Sequence, residues 1–302
     1  MVAKTEKDIE GLIEQSLNVE TSELDLREKE IDDEDLKAIV QSDKLKGVTA
    51  VFLEFNDIGD DGLKALLDSE HLKHVTALNL FKNKVTDEGV KALAASKNVL
   101  NISELILSDN EVGPEGARAI AESKPLSGLV SLWLGDRLGD EGVEALAASK
   151  TLNKLNLLSL YRNDIGNEGV LAIANSKNLA SLTELNLNWN YVEGAGVEAL
   201  AQSDTVKNLV QLTLTYNPIG PKGGIAIANS PVFKNLTLLD LYEAEIGDAG
   251  ARAIAESKTL GNLETLILIR NDISPGVQEL VRTSKNLKKL SKVMFKPEGE
   301  QA

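Results

Sequence analysis

Residues able to carry covalent or metal chemistry are scarce in this chain. It holds two histidines, His71 and His74, and no cysteine. In the order His-Leu-Lys-His the pair could share a helix face and bind a metal weakly, yet no third ligand stands near them in sequence. Without a thiol there is no thiolate nucleophile, and neither histidine pairs with a nucleophile at a recognisable catalytic spacing. Adjacent acids such as Asp60 and Asp61 could act as general acid and base, but similar acids return at one fixed place along the chain. The glycines return likewise, and no G-x-x-x-x-G-K-[ST] phosphate loop is present. The residues therefore predict a chain that is not an enzyme and uses neither cofactor nor metal.

Recurrence is the stronger signal. From Leu78 onward nearly the same unit returns every 27 residues: L-x-L-x-x-N-x-[IV]-G-x-x-G-[VA]-x-A-[LI]-A-x-S-x-x-L-x-x-L. Its asparagine stands at Asn56, Asn83, Asn110, Asn163, Asn190, Asn217 and Asn271. The step of 53 between Asn110 and Asn163 is two periods less one residue, because the copy around Arg137 is short by one in its loop.

The copy around Asn83 shows which elements the pattern demands. Leu78 and Leu80 alternate with Asn79 and Phe81, the period of a strand with one face inward. Asn83 sits at the following turn, where its amide can donate to and accept from backbone groups of the next copy. Val85 returns to the core. Asp87, Glu88 and Gly89 then open a helix, with acids where the N-terminal dipole favours them. Val90, Leu93 and Ala94 form its inward stripe. Ser96 closes it, and Val99 and Ile102 lead into the next strand.

A unit this small cannot bury its own apolar side, so the copies must stack. Strands stack ~4.8 Å apart, whereas helices need about 8–10 Å, so the stack bends with its strands on the inner wall. The expected fold is an α/β solenoid, a horseshoe with a parallel sheet on the concave face and helices on the convex face. About ten copies fill residues 21–286. Residues 1–20 are expected to form a capping helix, with Thr5 as N-cap and Ile9, Leu12, Ile13 and Leu17 on one face. Residues 287–302 supply a last strand, through Leu287, Leu290, Val293 and Phe295, and a polar tail.

Composition narrows the partners. A net charge of -15 disfavours nucleic acid and anionic membrane surfaces, both of which select excess Lys and Arg. No run approaches the ~20 apolar residues of a membrane span, and Met1–Glu10 lacks the apolar stretch of a secretory signal. These features predict a cytoplasmic, monomeric chain.

Function should then lie on the inner wall. Of 11 aromatic residues, nine fall at its outward-facing strand and loop positions: Phe52, Phe55, Phe81, Trp133, Tyr161, Trp189, Tyr191, Tyr216 and Tyr242. Only Phe233 and Phe295 occupy core-type positions. Aromatics suit strands and can shield one another in a ladder, but they are also enriched at interface hot spots. At the same positions 16 acids face five bases, Arg27, Lys82, Lys84, Arg162 and Arg270. The inner wall therefore holds most of the net charge. Asp109, Glu111, Asp136, Asp240 and Glu243 are among its acids. The irregular copy reads L-W-L-G-D-R-L-G, with Arg137 where asparagine belongs and Gly135 leaving space beside Trp133. Together these positions predict a face for a protein partner that carries an apolar and basic patch. Both tryptophans are expected to be exposed.

The unit resembles the ribonuclease-inhibitor type of leucine-rich repeat, and the L-x-L-x-x-N-x-I-G-x-x-G-x-x-A-L-A signature that carries the likeness covers about nine-tenths of the chain. The segments Gly89 to Ala94, Gly142 to Ala147 and Gly196 to Ala201 are also similar to repeats of bacterial proteins delivered into host cells. The resemblance implies partner binding through the inner face, as a scaffold, adaptor or effector, and admits delivery by a route without a Sec signal. The lack of cysteine separates this chain from ribonuclease inhibitor itself, so ribonuclease binding is not implied. The activator of the small GTPase Ran uses similar repeats, which gives a GTPase regulator acting through the same face as the alternative. Its acidic tail has no counterpart here. A structural spacer is the third reading.

Overall fold

The computed structural model describes residues 8–98 and 101–297. Twelve strands form one sheet in sequence order. They are β1 (Leu17–Asn18), β2 (Glu23–Asp25), β3 (Ala50–Phe52), β4 (Ala77–Asn79), β5 (Glu104–Ile106), β6 (Ser131–Trp133), β7 (Leu157–Ser159), β8 (Glu184–Asn186), β9 (Gln211–Thr213), β10 (Leu238–Asp240), β11 (Thr265–Ile267) and β12 (Lys292–Met294). The capping helix α1 (Ile9–Ser16) precedes β1. Each strand from β2 to β11 is followed by one helix: α2 (Asp33–Ile39), α3 (Asp60–Asp68), α4 (Asp87–Ala95), α5 (Pro114–Glu122), α6 (Gly139–Ala148), α7 (Asn167–Asn175), α8 (Gly194–Ala201), α9 (Gly220–Asn229), α10 (Gly247–Glu256) and α11 (Pro275–Arg282). The parallel α/β solenoid expected from the repeat is the observed fold, and the sheet departs from it only where β1 pairs antiparallel with β2.

Register explains why a three-residue strand suffices. Each central apolar residue lies opposite its counterpart, as in Leu78 with Leu105 and Leu185 with Leu212. The two flanking side chains face the other way and stay partly exposed. The core is one continuous column of Leu, Ile, Val and Ala between sheet and helices. Phe233 is fully buried in it. Phe295 is only half-buried and lies under the Arg282 guanidinium, 4.7 Å from the ring centroid.

Three ladders of side-chain hydrogen bonds tie successive copies together. The Asn83 amide donates to Leu53 O at 2.8 Å and Leu80 O at 3.1 Å, and its oxygen accepts from Ile58 N at 3.0 Å. The neighbour so bound is the preceding copy, not the next one. On the helix side, Ser123 Oγ donates to Ala94 O at 2.6 Å and Ser176 Oγ to Ala147 O at 2.6 Å, so the closing serine also fastens its helix to the one before.

The third ladder assigns the first-turn acids a task beyond the dipole. Asp87 Oδ1 accepts from Gly113 N at 2.7 Å and Gly116 N at 2.9 Å, the start of the following helix. Asp140 does the same for Gly166 and Gly169. Gly113 and Gly166 therefore need no cap of their own. A Cβ at Gly116 would come within 2.6 Å of Asp87 Oδ1 and 2.7 Å of Val112 Cγ1, which accounts for the second glycine of the repeat.

At the start of the chain, Asp8 caps α1 by accepting from Gly11 N at 3.0 Å. Thr5 and Val99 lie outside the described residues. No described helix is long and apolar enough to cross a membrane.

Candidate binding face

The backbone turns left-handed at the residue before the ladder position, whether that position holds asparagine or, after Glu243, alanine. Phe55, Lys82, Asp109, Arg162, Trp189, Tyr216, Glu243 and Arg270 all have φ between 49° and 58°, in the left-handed region. That conformation costs an ordinary L-residue about 1–2 kcal/mol, and glycine or asparagine would fill it most cheaply. This chain instead places rings and long charged side chains there, one above another along the open side of the sheet.

Those side chains sort into two aromatic groups. Towards the N-terminus, Phe55 and Phe81 meet edge to face at 5.3 Å. Lys82 lies 5.0 Å over Phe55, and Arg27 lies 5.6 Å over Phe52. Towards the C-terminus, Trp189 stacks on Tyr216 at 3.9 Å and Tyr216 meets Tyr242 at 5.2 Å. Arg270 closes that row 5.7 Å over Tyr242 and pairs with Glu243 at 3.1 Å. The hydrogen bond with Tyr242, then burial and Glu243, push the Tyr216 phenol up to about 12. Asp240 accepts from Tyr242 N at 3.0 Å, and burial raises its carboxyl above the usual range, so it props the row from behind. Tyr191 is 64% exposed and Trp189 47%, whereas Trp133 is half-buried and not exposed as expected. Among the described residues Trp133 has no ring or cation partner.

Between the groups the short copy leaves a gap. Strand register runs at 27 residues everywhere from β2 to β12 except across β6 and β7, where Leu132 lies opposite Leu158. Three residues, Gly135 to Arg137, span what Tyr161 to Asp164 span with four in the next copy. Leu138 N donates to Asn163 Oδ1 at 3.2 Å, just as Ile165 N donates to Asn190 Oδ1 at 3.0 Å. Asp136, with φ at 110°, holds the left-handed place, and Arg137 follows the missing position. The residue lost is thus the asparagine itself, and Arg137 does not replace it. Gly135 is no vacancy either: a Cβ there would meet Tyr161 O at 3.0 Å and Ser108 Cβ at 3.2 Å.

The gap opens into a groove of roughly 700 Å³ along the loop edge. Asp109, Glu111, Asp136, Arg137, Arg162, Asp164, Trp189 and Tyr191 line it with Lys82 and the ladder amides Asn83 and Asn110. Asp136 lies beside Asp109; burial first, then the Asp109 charge, pushes its carboxyl up to about 6. Arg162, 4.0 Å away, pulls it back down. Asp109 Oδ1 is buried without a donor.

The structure thus brings Asp109, Glu111, Asp136, Arg137, Trp189 and Tyr191 into one groove. Phe52, Phe55 and Phe81 form a separate patch, Tyr161 lies under Arg162 at 5.9 Å, and Tyr216, Tyr242 and Glu243 belong to the stacked row. Sequence reasoning passed over Asp164 and the carboxyl contact in the groove. Asp164 stands one place after a ladder asparagine, as Tyr191 does, and that shared register was the available sign. His71 lies 3.7 Å from Asp43. Among the described residues no group of three or more His, Cys, Asp or Glu could hold a metal.

The family model for the leucine rich repeat matches residues 48–67, 71–94, 100–121, 149–174, 178–201, 207–228 and 234–255, a little over half of the chain. The chain belongs to the leucine-rich repeat family. The matched leucine-rich repeats skip 122–148, the stretch that holds the shortened copy, with Asp136 and Arg137 of the groove. A search of curated proteins finds no match. Among solved structures, a protein from Bacteroides fragilis is similar with a TM-score of 0.53 and 14% identity, over 86% of this chain and 68% of that one. An internalin from Listeria monocytogenes is similar with a TM-score of 0.46 and 18% identity, over 92% of this chain and 88% of that one. At such identities the likeness concerns the leucine-rich repeat fold alone.

Proposed function

We propose that this solenoid is a scaffold that binds a partner protein through its inner wall and the adjoining loop edge. Leucine-rich repeat proteins generally act as scaffolds for protein–protein interaction, and the 27-residue unit fits the ribonuclease-inhibitor type. The observation that carries the reading is the left-handed column. Bulky residues with positive φ are outliers that persist where the surroundings over-determine them, and they cluster at functional sites. Packing needs only the ladder asparagine behind each one, yet Phe55, Trp189 and Tyr216 stand where Asn would be less strained. The rings present a rigid, preorganised apolar surface of the kind that anchors interfaces. With 16 acids to six bases around them once Arg137 takes its place beside the lost asparagine, the complementary partner has an apolar and basic surface.

The test is a capture experiment at physiological salt, with wild type beside the Trp189→Asn/Tyr191→Ala pair. Both side chains are exposed and asparagine suits the left-handed backbone, so urea unfolding should shift by no more than ~1 kcal/mol. A protein retained by wild type should be lost by the folded variant. Equal retention would mean that the rings are architectural.

A further inference from the structure

Resting on that reading of the inner wall, we propose that the mid-arc groove seats a cationic side chain of the partner, arginine above lysine, with its head between Asp109 and Asp136 and its stem against Trp189 and Tyr191. The bases already in the groove do not meet this need. Lys82 lies over Phe55, and Arg162 is laid over Tyr161 with its nearest Asp136 contact at 4.0 Å. Arg137 is exposed and makes no ion pair among the described residues. Opposite them, Asp109 Oδ1 is buried without a donor, and Asp136 stands beside Asp109 in the same groove, near enough for the Asp109 charge to bear on it. Glu111 and Asp164, both exposed, add negative charge at the rim.

Two neighbouring carboxyl groups, one with an oxygen buried without a donor, are short of donors, and a planar guanidinium supplies several in a geometry that matches them. Its entry sets one cation against the pair; near pH 6 and below, where Asp136 holds a proton, that proton must first leave to solvent. The wall of Trp189 and Tyr191 is suited to the rest of that side chain, since aromatic faces attract both the cation and its apolar stem. An anionic occupant would meet four carboxyl groups across the same gap. The absence of one loop residue at β6 provides the room, and no other copy in the sheet register has lost one.

The probe is the blocked tripeptide Ac-Gly-Arg-Gly-NH₂, titrated into ¹⁵N-labelled protein at pH 7.5 and physiological salt, with the glutamate tripeptide as control. Saturable shifts are expected at Gly135, Asp136 and the Trp189 indole for the arginine peptide alone. Asp109→Asn/Asp136→Asn should weaken it at least about tenfold, whereas Glu144→Gln on the helix side should not. Affinity should fall between pH 7.5 and 5 in wild type, as protons compete for the pair, and stay level in the double variant. Should the double variant fail to fold, the single Asp136→Asn gives the same comparison. Shifts spread evenly over the acidic surface, or unchanged affinity in the Asn variants, would overturn the proposal. A partner still captured through Trp189 and Tyr191 would then leave the wider reading standing. Groove-specific arginine binding without any captured partner would do the reverse.

Discussion

Asp136 condenses the chemistry of the groove into one side chain. Its carboxyl is raised to about 6 by burial and by Asp109, against an ordinary value of 3.8. The native state therefore binds a proton more tightly than the unfolded chain, and stability falls as pH rises through the window from about 4 to 6. Above it the ionised Asp136 carboxylate costs on the order of 3 kcal/mol. Asp136→Asn should stabilise the protein at pH 7.5 and have little effect near pH 4.5, in urea melts at the two pH values. Carboxyl NMR should place the Asp136 midpoint near 6. Asp109→Asn should lower it only part of the way, because burial is the larger cause. A midpoint in the ordinary range would mean that neither burial nor Asp109 bears on this carboxyl. None of this was legible from the sequence, where Asp136 and Asp109 are merely two acids one period apart. The spacing of 27 between them is the ordinary one, and the missing residue falls just after Asp136.

The strand, the turn and the helix could be read almost residue by residue from the repeat, since apolar spacing and turn chemistry act locally. What joins one copy to the next could not. The acids at Asp87 and Asp140 look like ordinary first-turn acids, and only stacking reveals that each caps the following helix. One copy performs the substitution naturally: Asn167 accepts from Glu193 N and Gly196 N, both at 3.0 Å, in place of an aspartate. Asp87→Asn should thus be close to neutral. Asp87→Ala should cost about 1 kcal/mol, within the 0.5–2 of a lost cap. The loss should appear as faster amide exchange at Gly113 and Gly116 in α5 rather than in α4, which holds the mutated residue. Protection lost in α4 instead would mean that the acid serves its own helix after all.

Across the whole molecule the copies of full length make the platform and the one shortened copy gives it a distinct place. The family pattern skips that copy, and the groove lies along it. The absent asparagine also leaves a trace in the copy before it. Val85 N and Leu138 N donate to ladder asparagines at 2.9 and 3.2 Å, but the buried Val112 amide, which the lost residue would serve, has no acceptor within the chain among the described residues. An orphaned buried amide costs about 1–3 kcal/mol, a strain maintained at the centre of the candidate face. Inserting one Asn between Asp136 and Arg137 would spell L-W-L-G-D-N-R-L-G and restore the unit in full. The repaired protein should gain about 1–3 kcal/mol in urea unfolding as Val112 N is satisfied. It should also lose the arginine tripeptide, since the restored loop separates Asp109 from Asp136 and fills the gap before Trp189. Stability gained together with binding retained would show that the groove owes nothing to the deletion. Both lost together would show that the surrounding loops have adapted to three residues and no longer accept the fourth.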